Sequence, residues 1–333
     1  MFHAAFGIAC QPKVTAVLRA SANIRIKPGT LSLSIARMYS ATSSIDSAEV
    51  AKFAAASNDW WKPNGQFGML HQMNPVRMKY IRTQTLSHLA SLPVSSASTL
   101  ASVQPDPAAP FKGLRVLDVG CGGGLLSESL ARLGASVTAT AIDASPENVA
   151  MAAYHASLDP MLNFDPKAPF SLSFRAITAE ELLRETGSVF DLVCSLEVVE
   201  HVNNPKEFIG NCLELVKPNG LAIFSTINRT PTARLFTILL AENILKWVPV
   251  GTHNFDKYIT PTELESFVKA VELSSVATIK SKHEIADVSG LAYRPLENKW
   301  ELLDGKNSMF GFGFAGDLEM NYVMSVRKLA VAA

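Results

Sequence analysis

Apolar and polar positions change period repeatedly along the chain, and each change marks an element. From Arg115 onward, short apolar runs alternate with stretches in which apolar residues recur three and four places apart. The first pattern belongs to buried strands and the second to helices with one core-facing stripe. Strands are predicted at 115 to 119, 136 to 142, 171 to 177, 190 to 195 and 221 to 226, with 273 to 280 and 320 to 327 completing the sheet. Between them, Ser145 then Pro146 read as an N-cap and first-turn proline opening a helix through about Leu158. Pro205 to Leu215 forms another helix, closed by Lys217-Pro218-Asn219-Gly220, and Thr260-Pro261-Thr262-Glu263 reads as a capping box. Repeated βα units imply a doubly wound α/β fold with a mostly parallel, seven-stranded sheet covered on both faces. Its ligand belongs beyond the strand C-termini, where strand order reverses.

Upstream, residues 47 to 90 hold two predicted helices around the turn Trp60-Trp61-Lys62-Pro63-Asn64-Gly65. Residues 91 to 112 are rich in Ser, Ala and Pro without a period and read as a flexible insertion. The α/β domain is then 113 to 328, with a loop insertion at 159 to 170 and a helical lid over about 231 to 270. On a helical wheel of Pro231 to Pro249, Glu242, Asn243 and Lys246 cluster, opposite Phe236, Leu240, Ile244, Trp247 and Val248. Leu235 and Leu239 fall near the polar edge. That helix either packs on the core or lies at an interface as a lid over a lipidic substrate.

Composition narrows the classes. With 333 residues and 48% hydrophobic content, the chain can bury one large core and carry appendages. The formal net charge is zero with no run of like charge, which argues against a nucleic-acid partner. No apolar run reaches the ~20 residues of a spanning helix. The four cysteines lie far apart, so no disulfide and no cysteine metal site is expected. The first 45 residues contain no Asp or Glu but carry Lys13, Arg19, Arg25, Lys27 and Arg37. This is the composition of a mitochondrial transit peptide, and Arg37-Met38-Tyr39 fits removal of residues 1 to 39; the alternative is a basic tail.

The densest chemistry is VLDVGCGGGLLSE at 116 to 128: strand, glycine turn, helix. Glycines allow positive φ and let a ligand lie against bare peptide groups. A dinucleotide fingerprint needs G-x-G-x-x-G, whereas the third glycine here, Gly124, comes one place early. With Asp118 on the strand, the D-x-G-x-G-x-G spacing resembles the S-adenosylmethionine-dependent methyltransferases. Asp118 would fix the turn and the ligand's ammonium side, and Gly120 and Gly122 would admit its methionine part. Asp143, ending the second strand, is either a polar strand end or the acceptor of both ribose hydroxyls.

Past the fourth strand stands Leu196-Glu197-Val198-Val199-Glu200-His201. If a helical turn begins there, Glu197, Glu200 and His201 share one face at i, i+3 and i+4. They can hold a divalent cation such as magnesium, which would acidify a phenol. His201 can instead act alone as a general base. The plainer reading makes the two acids solvated helix-start residues.

Taken together, residues 49 to 327 resemble the ubiquinone-biosynthesis O-methyltransferases in their mitochondrial form. The motifs that carry this are WWKPNGQFGMLHQMNPVRMKYI (60 to 81), LEVVEHV (196 to 202), LVKPNG, FSTINR, GTHNFDKYITPTEL (251 to 264) and GLAYRP. The resemblance implies a class I, Rossmann-like methyltransferase fold with N-terminal helices. It implies transfer of methyl from S-adenosylmethionine to ring hydroxyls of a polyprenyl dihydroxybenzoate and of a demethylubiquinol. Carried over by motif, Arg77, Gly120, Asp143 and Leu196 contact the donor, with Arg77 on its carboxylate and Leu196 on the adenosyl group. Magnesium maps to Glu197, Glu200 and His201. A peripheral position on the matrix face of the mitochondrial inner membrane, within a multisubunit complex, is also implied. The strand VTATAID is two residues longer than the family's usual one, so either a bulge absorbs Ala139-Thr140 or Asp143 is displaced. Two other classes compete: a carbon- or nitrogen-directed small-molecule methyltransferase, and a non-catalytic S-adenosylmethionine-binding subunit.

Overall fold

The structure is a computed structural model and describes residues 44–62, 65–92, 100, 103–134, 138–162, 172–244, 248–273, 282–295, 297–303 and 318–330. The leader at 1 to 39 lies outside the described residues, as do 93 to 99, 101 and 102 of the first insertion and 163 to 170 of the second. Helix α1 (Ser47–Ala55) is opened by Asp46, whose carboxylate accepts the Ala48 N–H at 3.0 Å. Helix α2 (Gly68–Ser91) follows the tryptophan turn. The alternating region is β1 (Arg115–Val119), α3 (Leu125–Arg132), β2 (Thr138–Asp143), α4 (Pro146–Ser157) and β3 (Leu172–Ala176), then α5 (Ala179–Thr186), β4 (Phe190–Leu196), α6 (Pro205–Leu215) and β5 (Val216–Ile227). A short α7 (Pro231–Arg234) continues as a π-helix over Leu235–Ile244. Helix α8 (Pro261–Leu273), β6 (Lys282–Arg294), β7 (Lys299–Leu303) and β8 (Asn321–Leu329) follow.

The sheet runs β3-β2-β1-β4-β5-β8-β6-β7. Its β3-to-β5 half is parallel, and β8, β6 and β7 add antiparallel pairs. The doubly wound α/β class is as expected, but among the described residues the sheet has eight strands rather than seven. The extra one, β7, is five residues long with charges at Lys299 and Glu301, too short and polar for periodicity to expose. Of the strand expected at 273 to 280, residues 274 to 280 lie outside the described residues, and Leu273 still belongs to a helix. Leu264, Val268 and Val271 keep helical spacing, α8 runs to Leu273, and the next described strand is Lys282–Arg294.

Along each central strand alternate residues enter opposite core layers, the period of two that a doubly covered sheet requires. Val116, Leu192, Cys194, Leu221 and Ile223 join the layer under α2 and α3. Leu117, Val193, Ala222 and Phe224 join the layer under α6 and α8. Cys121, Cys194 and Cys212 are free and buried. Strand order reverses between β1 and β4, so the C-terminal ends of those strands frame a crevice.

Candidate functional site

A cavity of about 330 Å³ lies at this reversal. That volume falls in the roughly 300–1,000 Å³ range of small-molecule sites rather than of packing defects. One end is the glycine loop. Gly120 N–H and Cys121 N–H donate to Ile142 O at 2.8 and 3.0 Å, tying the end of β1 to the end of β2. Gly120, Gly122 and Gly124 adopt φ of 77°, 52° and 87°, the left-handed region that side chains resist. Strand β2 pairs with β1 one-for-one from Arg115↔Thr138 to Val119↔Ile142, so no bulge absorbs Ala139 and Thr140. Asp143 nonetheless reaches the glycine loop: its carboxylate accepts Gly122 N–H at 2.9 Å, Ser145 N–H at 2.8 Å and the Asn148 amide at 3.3 Å. Burial raises its pKa above the usual carboxylate range, against those donors.

Asp118 is buried beneath the loop, accepts the Ser127 hydroxyl at 2.5 Å, and is pushed up to about 7 by burial. A carboxyl raised in the folded state contributes stability that is full below about 4, its unfolded value, and is lost as pH climbs toward 7. Asp118→Asn keeps the shape without the charge. Its gain in Tm over the parent should be absent near pH 4, grow to pH 7 and then level off. A gain independent of pH in thermal scans would contradict this.

The glycines also face protein. A Cβ on Gly122 would stand 2.3 Å from Trp60 Cζ2, one on Gly123 2.4 Å from Trp60 Cγ, and one on Gly120 2.4 Å from Val198 Cγ2. Trp60 lies flat on Phe67, centroids 3.8 Å apart, and donates to Asn148 Oδ1 at 3.0 Å. Trp61 donates to Gly123 O at 2.8 Å and stacks on His155. The tryptophan pair thus roofs the loop, a role no local pattern announces. Gly122→Ala should force Trp60 outward, read as a red shift in tryptophan emission. Unaltered emission would show that the roof does not depend on the missing Cβ.

The other end is built where β4 stops. Leu196 is buried and faces the cavity; Glu197 then takes φ 56°, a strained value for a non-glycine residue. Its N–H donates to Ser225 O at 2.9 Å, and its carboxylate accepts the Ser225 hydroxyl at 2.6 Å and the Asn321 amide at 2.8 Å. Arg77, buried on α2, brings Nη2 to 3.3 Å from the same carboxylate as an ion pair, and neither that Nη2 nor its Nε makes a hydrogen bond. Only Val199–His201 form a 3-10 turn, so the shared helical face expected for Glu197, Glu200 and His201 does not exist. Glu197 is fixed by β5 and β8, Glu200 is buried with Thr226 at 2.8 Å, and His201 Nδ1 meets Glu49 of α1 at 3.0 Å. Burial and the charge of Glu197 raise the Glu200 carboxyl.

All three line the cavity, yet among the described residues no group of three His, Cys, Asp or Glu side chains is placed to hold a metal. The donor set has the chemistry for magnesium but not the arrangement: Glu197 would have to leave Arg77, and His201 would have to leave Glu49.

The helix wheel over Pro231 to Pro249 is corrected too. The stretch winds as a π-helix, which shifts each successive residue off the 3.6 period. Glu242 is buried, while Leu235, Leu239 and Ile244 are exposed; Lys246 and Trp247 lie outside the described residues. Glu242 accepts Gly251 N–H and His253 N–H, both at 2.7 Å, and faces His253 Nδ1 at 2.8 Å. Glu49, Trp60, Asn321 and His253 thus line the cavity, and Glu242 holds His253 from behind, placements that local spacing does not announce.

Several known proteins share this framework. A family model described as "Methyltransferase domain" matches residues 95–278. The ubiquinone biosynthesis O-methyltransferase of Rhizobium etli is 40% identical over 87% of this chain and 98% of its own length. That of Cereibacter sphaeroides is 41% identical over 85% and 97%. The mitochondrial one of Arabidopsis thaliana is 38% identical over 86% and 76%. Among solved structures, the plantazolicin methyltransferase BpumL in complex with SAH superposes with a TM-score of 0.51 over 85% of this chain and 97% of that one, at 14% identity, a likeness of fold. The chain is an S-adenosylmethionine-dependent O-methyltransferase and belongs to the ubiquinone biosynthesis O-methyltransferase family.

Proposed function

We propose that the chain methylates ring hydroxyls of a polyprenylated dihydroxybenzoate and of a demethylubiquinol. The observation that carries this reading is convergence: the glycine loop with Asp143, the incompletely bonded Arg77 and the imidazole of His201 all line one cavity. Asp143 receives the ribose hydroxyls, Leu196 packs on the adenosyl group, Gly120 passes the methionine part, and Arg77 takes its carboxylate. When bound, S-adenosylmethionine supplies an electrophilic methyl carbon. The ring hydroxyl would attack that carbon, the new O–C bond forming as the C–S bond breaks, and His201 would take the hydroxyl's proton. Glu49 holds Nδ1 and so leaves Nε2 for that task. Asp143→Ala leaves buried donors unmatched and should raise the Kd of the methyl donor on the order of 10- to 100-fold. Unchanged donor binding would overturn the ribose assignment. In cells lacking the protein, mass spectrometry should find the hydroxylated, unmethylated intermediate accumulating; its absence would contradict the substrate assignment.

As the side chains stand, turnover should survive chelation, and loss with EDTA restored by magnesium would show that Glu197, Glu200 and His201 regroup.

The prenyl chain needs an apolar approach. Leu235, Leu239, Ile244 and Val250 are exposed on the stretch whose inner side, at Phe236, Thr237 and Ala241, lines the cavity. No helix among the described residues is long and apolar enough to cross a membrane. Peripheral attachment through this stretch fits the matrix face of the mitochondrial inner membrane, with the protein in a multisubunit quinone-synthesis complex. The acid-free leader supports import and removal of residues 1 to 39. N-terminal sequencing of protein from mitochondria should start near Ser40, and an intact Met1 on matrix protein would refute it.

A further inference from the structure

The cavity holds a second imidazole arranged like the first. His253 lies in the loop after the π-helix, and its side chain is 19% exposed. Both its Nδ1 and its own backbone N–H are fixed on one oxygen of Glu242, at 2.8 and 2.7 Å, and Gly251 N–H holds the other oxygen at 2.7 Å. Glu242 is 2% exposed. A carboxylate so cradled only accepts, so Nδ1 carries the ring hydrogen and Nε2 keeps its lone pair, on a ring that lines the cavity. Burial lowers the His253 pKa, which favours the neutral ring.

His201 repeats the plan with Glu49 at 3.0 Å. One cavity therefore presents two imidazoles, each with Nδ1 backed by a carboxylate and each leaving Nε2 as an acceptor. A lone phenol has one O–H to give; a vicinal diol has two.

We infer that His253, oriented by Glu242, accepts the hydrogen of the ring hydroxyl next to the one His201 deprotonates, so that the two histidines together select a catechol. This rests on the methyl transfer to a ring hydroxyl proposed above. A site built to bond a substrate hydroxyl rejects an analogue without it, because its own buried group is left unpaired. Glu242 is a positioning residue: it sets the tautomer and touches no substrate.

The test is a cycle of two substrates and two proteins. The substrates are a short-prenyl dihydroxybenzoate and the same compound with the non-reacting hydroxyl replaced by hydrogen. In the parent protein, kcat/KM should favour the diol on the order of 100-fold or more. His253→Ala should bring the diol down to about the level of the deoxy compound, leaving the deoxy compound and donor affinity within a few-fold of the parent. His253→Gln, which restores an acceptor, should recover part of the preference. Glu242→Gln should lower the preference without changing deoxy turnover. Where His253→Ala fails to fold, the two glutamine variants carry the test. Equal losses for both substrates in these variants would overturn the inference. A parent protein that methylates no catechol at all would overturn the underlying reading, and this inference with it.

Discussion

Replacing His201 by alanine is expected to lower kcat by two to four orders of magnitude while donor affinity stays within a few-fold of the parent. That is the typical worth of a positioned general base. The ring is held for the purpose: Nδ1 on Glu49 at 3.0 Å, with Phe53 edge-on at 5.0 Å. A free phenol ionises near 10, so at neutral pH the base carries most of the proton transfer, whereas at high pH the substrate ionises unaided. The deficit of His201→Ala should therefore shrink as pH rises toward 10. Glu49→Gln should show a smaller loss of the same kind, since it loosens the tautomer without removing the ring. A loss of less than tenfold, or one that is constant with pH, would remove His201 from the proton-transfer role.

Arg77→Met is the second large effect. The methionine keeps much of the arginine stem and removes the buried charge. Truncating one member of a buried charged pair typically costs about 2–5 kcal/mol, so the Kd for S-adenosylmethionine should rise at least ~30-fold. S-adenosylhomocysteine, with the same carboxylate, should lose as much. Methylthioadenosine, which lacks the amino-acid part, should bind as it does to the parent. Equal weakening of all three ligands would mean that Arg77 shapes the pocket through Glu197 rather than meeting the carboxylate.

Much of the frame was legible because it is local. The β1 glycine loop, the Asp143 strand end and the Ser145 cap each lie within a few residues of their determinants. What local spacing missed was set at a distance. Glu49 reaches His201 across 152 residues and Asn321 reaches Glu197 across 124, so no spacing rule connects them. The assumed helical turn at Glu197 failed because β5 and β8 hold that residue in a left-handed conformation. The wheel misplaced Glu242 because the segment is a π-helix. Trp60 stands in a turn that the sequence marks by its Pro and Asn-Gly, yet its packing on Gly122 and Gly123 explains those glycines as fully as a ligand would.

Transfer of a methyl group to the oxygen of a prenylated catechol is tested directly on the purified protein. Purified protein should be given methyl-labelled S-adenosylmethionine and a short-prenyl dihydroxybenzoate, and the product identified by mass spectrometry and NMR. One label on a ring oxygen, with one equivalent of S-adenosylhomocysteine, is the predicted result. Label on carbon or nitrogen, or no transfer by protein that binds the donor tightly, would contradict it.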